Sequence, residues 1–307
     1  MSGRGRAALL LSLAVVFWGT QFRATAIGEE AAPALVFATL RVLPAAVALA
    51  IWAWLRHERP FRPRILLLAA ANGLGMVTLD VIGLTEGIAH AGSGNTAVIV
   101  NTAPFFIVLF DRVLFGVRVS STMLAGLVTG FGGVILMVSS QLGGSGGASF
   151  ADGIAFALLS AVTWAGGTLL VKWLANRDSA FDIAAFTATM FAIGGLALLA
   201  VALIADGTAS TEWGSGRLWA ATAWVSLGAG AVGTVAYFTA LRLISSARAS
   251  AWLFLVPAVA VLVELARGNV PNATTLAGMA LAIGGVALVN MPATRFAPLD
   301  SSRPRDS

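Results

Sequence analysis

The sequence predicts an all-α membrane protein of ten transmembrane helices, arranged as two inverted five-helix repeats. Three observations carry this. Of 307 residues, 58% are hydrophobic and only 11% are charged, whereas a soluble domain charges about a quarter of its residues. Apolar runs follow one another along nearly the whole chain, each of about twenty residues, the length that crosses about 30 Å of hydrocarbon at about 1.5 Å per residue. One pattern also occurs twice: Pro104 precedes Asp111, Leu124-Ala125-Gly126 and Gly132-Gly133, and Pro257 precedes Glu264, Leu276-Ala277-Gly278 and Gly284-Gly285. Repetition on this scale marks a duplicated bundle.

The first run, 7–27, follows Arg4 and Arg6 and ends near Ala24-Thr25-Ala26, which imitates a cleavable signal peptide. Its length, and Trp18, Gln21 and Arg23 within it, make it a retained helix; removal would leave the first repeat one helix short. The spans 34–56, the polar 65–88, 94–112 and 121–140 complete that repeat, and the Gly/Ser stretch 143–149 reads as a flexible linker. The second repeat runs 152–174, 182–205, the Gly-rich 217–241, 249–267 and 273–291. The expected organisation is a first repeat over 1–143, a linker over 144–151, a second repeat over 152–294 and a disordered tail over 295–307.

Charge sets the orientation, because short cytoplasmic loops collect Arg and Lys. With the N-terminus inside, one face gathers fifteen basic residues, among them Arg4, Arg56, Arg118, Lys172, Arg242 and Arg248. The other gathers Arg217 and Arg267 beside the acidic Glu29, Glu30, Asp206 and Glu212. Both termini are therefore expected in the cytoplasm. The formal charge of +5 is a topology signal, not a nucleic-acid footprint, and the absence of cysteine excludes disulfides and thiolate metal sites. Five helices per copy is odd, so the second copy enters the membrane upside down. Earlier helices echo too: Phe37-Ala38-Thr39 pairs with Phe186-Thr187-Ala188, and Trp18 with Trp164.

These residues carry a resemblance. The segment from Ala240-Leu241-Arg242 through Pro257, Glu264, Leu276-Ala277-Gly278 and Gly284-Gly285-Val286, with Trp18-Gly19-Thr20 and Leu40-Arg41, resembles the EamA-like proteins of the drug/metabolite transporter superfamily. It spans residues 7–291, with Asp111 where the family's repeat usually shows Glu. The resemblance implies a bacterial inner-membrane carrier, often an exporter of amino acids or related metabolites.

Ionisable groups inside a bilayer are costly and default to functional candidates. On the third helix, Asn72, Met76, Asp80, Gly83, Glu86 and Gly87 share a stripe about 120° wide, which should face a cavity or a packed neighbour. Counting helical rise places Arg41 and Asp80 at similar depth, predicting an Arg41–Asp80 contact with Gln21, Asn101 and Arg23 near it. Arg41 then either grips a substrate carboxylate, with Asp80 pairing or exchanging a proton, or forms a permanent structural ion pair. The counterpart of Arg41 in the second copy is Met190, so this charge breaks the symmetry. Substrate-binding candidates are Trp18, Gln21, Arg41, Asn72, Asp80, Asn101, Trp164, Tyr237 and Trp252, the aromatics alternatively being simple packing. Asp111 and Glu264 read as gates or helix-end caps reaching headgroup water, with a substrate or proton role as the alternative, and Pro104 and Pro257 as kinks able to hinge. Lys172 and Arg242 are expected to snorkel at the inner face, and the Gly126–Gly130 spacing fits helix packing within the bundle or against a second subunit.

Enzymatic motifs fail on inspection. The Gly-Gly-Ser-Gly-Gly of the linker formally matches a nucleophile elbow but has no strand-to-helix turn, His57 and His90 fall on opposite faces, and no phosphate-binding loop occurs. The sequence therefore predicts no cofactor and no metal. It predicts a secondary transporter moving a small polar or amphipathic metabolite by alternating access, and the resemblance implies amino-acid export as the class. The alternative is a membrane-embedded enzyme or a sensor without transport activity. Asp80 and Glu86 leave proton coupling open, and nothing in the chain assigns an oligomeric state.

Overall fold

The computed structural model describes residues 2–56, 63–143, 148–178 and 181–291. The linker centre at 144–147, His57, Arg59, Arg62 and the tail 295–307 lie outside the described residues. Among those described, nine helices are long and apolar enough to cross a membrane: α1 Gly3–Glu29, α2 Ala34–Leu55, α3 Arg64–Ala91, α4 Ser93–Phe115, α6 Ser149–Arg177, α7 Ile183–Ala205, α8 Gly216–Leu241, α9 Ser246–Ala266 and α10 Ala273–Asn290. The tenth, α5 Ser121–Met137, has 17 residues, about 25 Å at the helical rise and at the short end of what spans. The result is an all-helical multi-span membrane protein whose two halves follow the inverted-repeat plan.

Counterpart helices pair with each other at two places. Helices α2 and α7 pack along their length, with Phe37 and Phe186 both fully buried. Gly28 makes room for Phe37, whose ring a Cβ on that glycine would strike. Helices α5 and α10 form the tightest pair, backbone against backbone. A Cβ on Gly133 would stand 2.5 Å from Ala282 N and Gly278 O, and Gly126 abuts Gly285 and Val289. Small residues let membrane helices approach this closely. The Gly126–Gly130 spacing thus serves the interior of this chain.

Both repeats interrupt their helices where proline and glycine dictate. Helix α4 breaks at Asn101-Thr102 and resumes with Pro104 in its first turn; α9 tightens to 3-10 geometry over Trp252–Leu255 and resumes with Pro257 likewise. Proline has no N–H to donate and crowds the carbonyl four residues back, so the ladder must open there. The expected interruptions are present in both copies. Glycine-rich α3 and α8 each carry a π-helical segment, Leu74–Leu79 and Trp224–Gly233. At each, a threonine hydroxyl bonds the carbonyl five residues back, Thr78 to Gly73 at 3.5 Å and Thr234 to Ala229 at 3.4 Å. Such segments occur often at functional sites. Past Phe115, Gly116 takes the left-handed conformation (φ 67°) and closes α4, with Val117 N–H bonding Asp111 O at 3.2 Å.

Among the described residues three apolar clusters result, a large one around α1, α2, α7 and α8, a smaller one among α5, α9 and α10, and a third between α4 and α6; Trp252 touches the first two. Arg4 and Asn290 line one cavity, so the start of α1 and the end of α10 share a face, here the terminal face. On the opposite face the α7–α8 loop is tied to the α1–α2 turn: Arg217 pairs with Glu30 at 2.8 Å, Glu212 N–H bonds Ala31 O at 2.8 Å, and Asp206 accepts from Leu35 N–H at 3.2 Å.

Candidate functional site

The centre of the bundle holds three aromatic rings. Trp18 of α1 meets Trp164 of α6 edge-on at 5.5 Å and Tyr237 of α8 at 5.2 Å, with Trp164 and Tyr237 6.2 Å apart. Trp18 and Trp164, paired by the sequence repeat, therefore touch where the two halves meet. Trp18 donates its Nε1–H to Ala229 O at 3.1 Å, within the π-helical segment of α8. The Trp164 Nε1–H and the Tyr237 hydroxyl are buried without a hydrogen-bond partner, the hydroxyl lying close to Thr168 but outside bonding geometry. Buried donors left unpaired cost free energy, about 1–3 kcal/mol each, and mark positions a ligand could satisfy.

One turn before Trp164, Ser160 of α6 donates to Asp80 Oδ1 of α3 at 2.6 Å. This seam is why the polar stripe of α3 exists. Gly83 packs on Phe156 and Ser160, Gly87 on Ala157 and Thr96, and Met76 beside Gly167, so the stripe faces α6. Arg41 and Asp80 are half-buried, on α2 and α3. The expected Arg41–Asp80 contact does not form: among the described residues neither belongs to an ion pair within 4.0 Å. They interact through space only, and Arg41 is held more by Glu29 at the end of α1 than by Asp80. Ser160 occupies the carboxylate instead.

The other expected members disperse. Asn101 bonds Ala97 O at 2.8 Å within its own helix, and Gln21 makes no hydrogen bond to another described residue. Asn72, nearly fully buried, bonds Met190 Sδ at 3.1 Å and sits about two turns from Asp80, in a packed interface. Arg23 turns toward Glu264 across a cavity of about 200 Å³ between α1 and α9, bordered by Phe22, Ala26 and Val263. Trp252 leaves the aromatic centre and lines a cavity of about 280 Å³ on the terminal face. Helical rise predicts depth well, but the rotation of each helix about its axis decides which side chains meet.

The counterpart carboxylates differ in setting. Asp111, expected to reach headgroup water, is 6% exposed and faces Ser246 and Lys172. Lys172, expected to snorkel, instead donates to Leu241 O, and to Ile244 O at 2.9 Å, capping α8 where its last carbonyls lack helical partners. Arg242 likewise bonds Phe181 O and stacks over the Phe181 ring at 5.7 Å. Glu264 stays at the surface, bonded to Arg267 at 2.8 Å and Asn269 at 2.7 Å. The interfaces around them differ as well. Ile107, Ala165 and Leu169 fill the α4–α6 contact, whereas its counterpart between α1 and α9 holds a cavity toward each face.

Ser160 was not legible as a functional candidate. Its one signal is the four-residue spacing to Trp164 on a shared helix face, and serine is too common in membrane helices for that to stand out. Among the described residues, no group of three His, Cys, Asp or Glu side chains could hold a metal ion. His90 bonds Glu86 O at 2.9 Å on its own helix.

Comparison with known proteins follows the same plan. The profile of the EamA-like transporter family matches residues 5–139 and again 151–291. A probable terminal-alkyne amino-acid exporter of Streptantibioticus cattleyicolor is 29% identical over 93% of this chain and 93% of its own length. An uncharacterized inner membrane transporter of Escherichia coli, YedA, is 28% identical over 83% of this chain and 80% of its own length. A probable amino-acid metabolite efflux pump of the same species is 24% identical over 66% of this chain and 65% of its own. One protein crystal structure superposes with a TM-score of 0.76 over 92% of this chain and 96% of that one, at 20% identity, a likeness of fold.

Proposed function

Because this chain belongs to the EamA-like transporter family, whose members are carriers and not enzymes, we propose that it exports an amino acid or related metabolite by alternating access. The observation that carries this reading is the Asp80–Ser160 hydrogen bond beside the Trp18, Trp164 and Tyr237 rings. It joins a carboxylate of the first repeat to a hydroxyl of the second, deep in the bundle, where a charge is costly and is retained for function. The rings supply apolar surface, the unpaired Trp164 and Tyr237 groups supply donors and acceptors, and Arg41 supplies a positive field for a carboxylate. The names of two relatives, an amino-acid exporter and an amino-acid metabolite efflux pump, support the substrate class.

The inequality of the two counterpart interfaces supports the motion. A filled α4–α6 contact and a cavity-bearing α1–α9 contact are two packings of one repeated design, and exchange between such packings is how inverted repeats alternate access. Pro104 and Pro257 are the hinges in this reading, Asp111 and Glu264 the gates. In this reading both termini lie in the cytoplasm, the side to which the distribution of Arg and Lys points. Inside-out vesicles, presented with labelled amino acids with and without a proton gradient, test the proposal. Accumulation that Asp80→Asn abolishes at normal membrane levels is expected. Silence across a broad amino-acid and metabolite panel sinks it.

A further inference from the structure

The cavity on the terminal face, about 280 Å³ in volume, lies apart from the aromatic centre. Two arginines border it, Arg4 from α1 and Arg248 from α9, and among the described residues no acidic side chain does. Arg248 Nε–H and Trp252 Nε1–H are both buried without a hydrogen-bond partner among the described residues. Among the described residues, the only hydrogen bond of Arg248 is a long one, Nη2 to Met291 O at 3.4 Å. Asn290 spends its Nδ2–H on Val286 O at 2.9 Å, which leaves its amide oxygen to accept. Ala8, Leu11 and Ile244 make the remaining wall apolar, with Gly5 beside them.

A topology signal explains two arginines at this face, but it explains neither a cavity between them nor orphaned N–H groups beside it. Buried donors without partners are expensive, about 1–3 kcal/mol each, and a carboxylate accepts from a guanidinium in two places at once. An apolar wall with a few convergent polar groups is the build of a small-molecule site, and the volume suits one metabolite. We propose that this cavity is a second binding site, which captures the carboxylate of an amphipathic α-amino acid before it moves to the centre. Arg248 and Arg4 hold the carboxylate, the Asn290 amide oxygen receives the ammonium group, and the side chain lies on Leu11 and Trp252. Leu11 stands about two turns from Trp18 on the same helix. The binding chemistry stands by itself; the role as a loading site rests on the export reading above.

Equilibrium binding of labelled leucine to the full chain in phosphatidylcholine nanodiscs tests it. Arg248→Gln should weaken binding about tenfold or more and Arg248→Lys less, with unchanged gel-filtration profiles. N-acetyl-leucine should compete and leucine amide, which lacks the carboxylate, should not. In vesicles, Arg248→Gln should raise KM and leave kcat near the wild-type value. Leucine affinity unaltered by Arg248→Gln, or no binding by either carboxylate, overturns the proposal. Phosphatidylglycerol retained through Arg248 while leucine is ignored overturns it too, because the occupant is then a lipid phosphate. Leucine that binds through Arg248 but is never transported contradicts export and leaves the site standing.

Discussion

Ser160 and Asp80 come from opposite halves of an inverted repeat and meet through a 2.6 Å hydrogen bond between α6 and α3. A hydrogen bond to a charged group contributes about 1.5–3 kcal/mol, and losing one partner exposes the other to the full desolvation cost. Ser160→Ala should therefore lower thermal stability by about that much and slow transport at least about tenfold. Thermal unfolding in detergent and vesicle uptake, read on the same preparation, check both. An unaltered melting temperature would show that the seam carries no energy.

Among the described residues Arg41 belongs to no ion pair and interacts through space with Glu29 and Asp80. A charge that stitches nothing can be removed without loss of fold. Arg41→Met, which installs the residue that the second repeat carries at Met190, should reach the membrane at normal levels and lose transport. If the variant protein fails to accumulate in the membrane, Arg41 is structural.

The duplicated Gly-Gly pairs give a matched control within one motif. A Cβ on Gly133 or Gly285 would strike the backbone of the partner helix, whereas Gly132 and Gly284 have nothing within 4 Å. Gly133→Ala and Gly285→Ala should each cost about 1–3 kcal/mol through overpacking. Gly132→Ala and Gly284→Ala should be neutral or stabilise by up to about 1 kcal/mol, because alanine orders more cheaply in a helix. Four melting curves decide the matter.

Lys172 caps α8 and neutralises the field around buried Asp111. Lys172→Met should cost about 1.5–3 kcal/mol, since it removes a charged donor from the Leu241 and Ile244 carbonyls. Adding Asp111→Asn should return part of the loss, a coupling that a double-mutant cycle measures. Strict additivity of the two substitutions would mean that they do not interact.

Much of the fold could be read along the chain. The spans, the break before Pro104 and before Pro257, and the pairing of Trp18 with Trp164 all follow from local rules: hydrocarbon thickness, a missing N–H, a repeat in register. The site was legible only in part. Arg41 and Asp80 stood out because charge in a membrane helix is rare, but their expected contact with each other gave way to Ser160 and Glu29. Asp111 read as a helix end, and burial against Lys172 came from the α6 and α9 segments folding over it.

The amino-acid sequence by itself determined that this chain is an all-helical multi-span membrane protein, that its two repeats follow the inverted plan, and which few charges stand within its apolar runs. Those properties depend on the solvent and on residues close in the chain. Only the tertiary structure decided that Ser160 meets Asp80, that the glycines of α5 and α10 serve each other, and that Trp252 belongs to the Arg4–Arg248 cavity and not to the aromatic centre. The rotation and tilt of each helix set those partnerships. Packing among all ten helices fixes both, and an apolar run in a lipid solvent leaves both open.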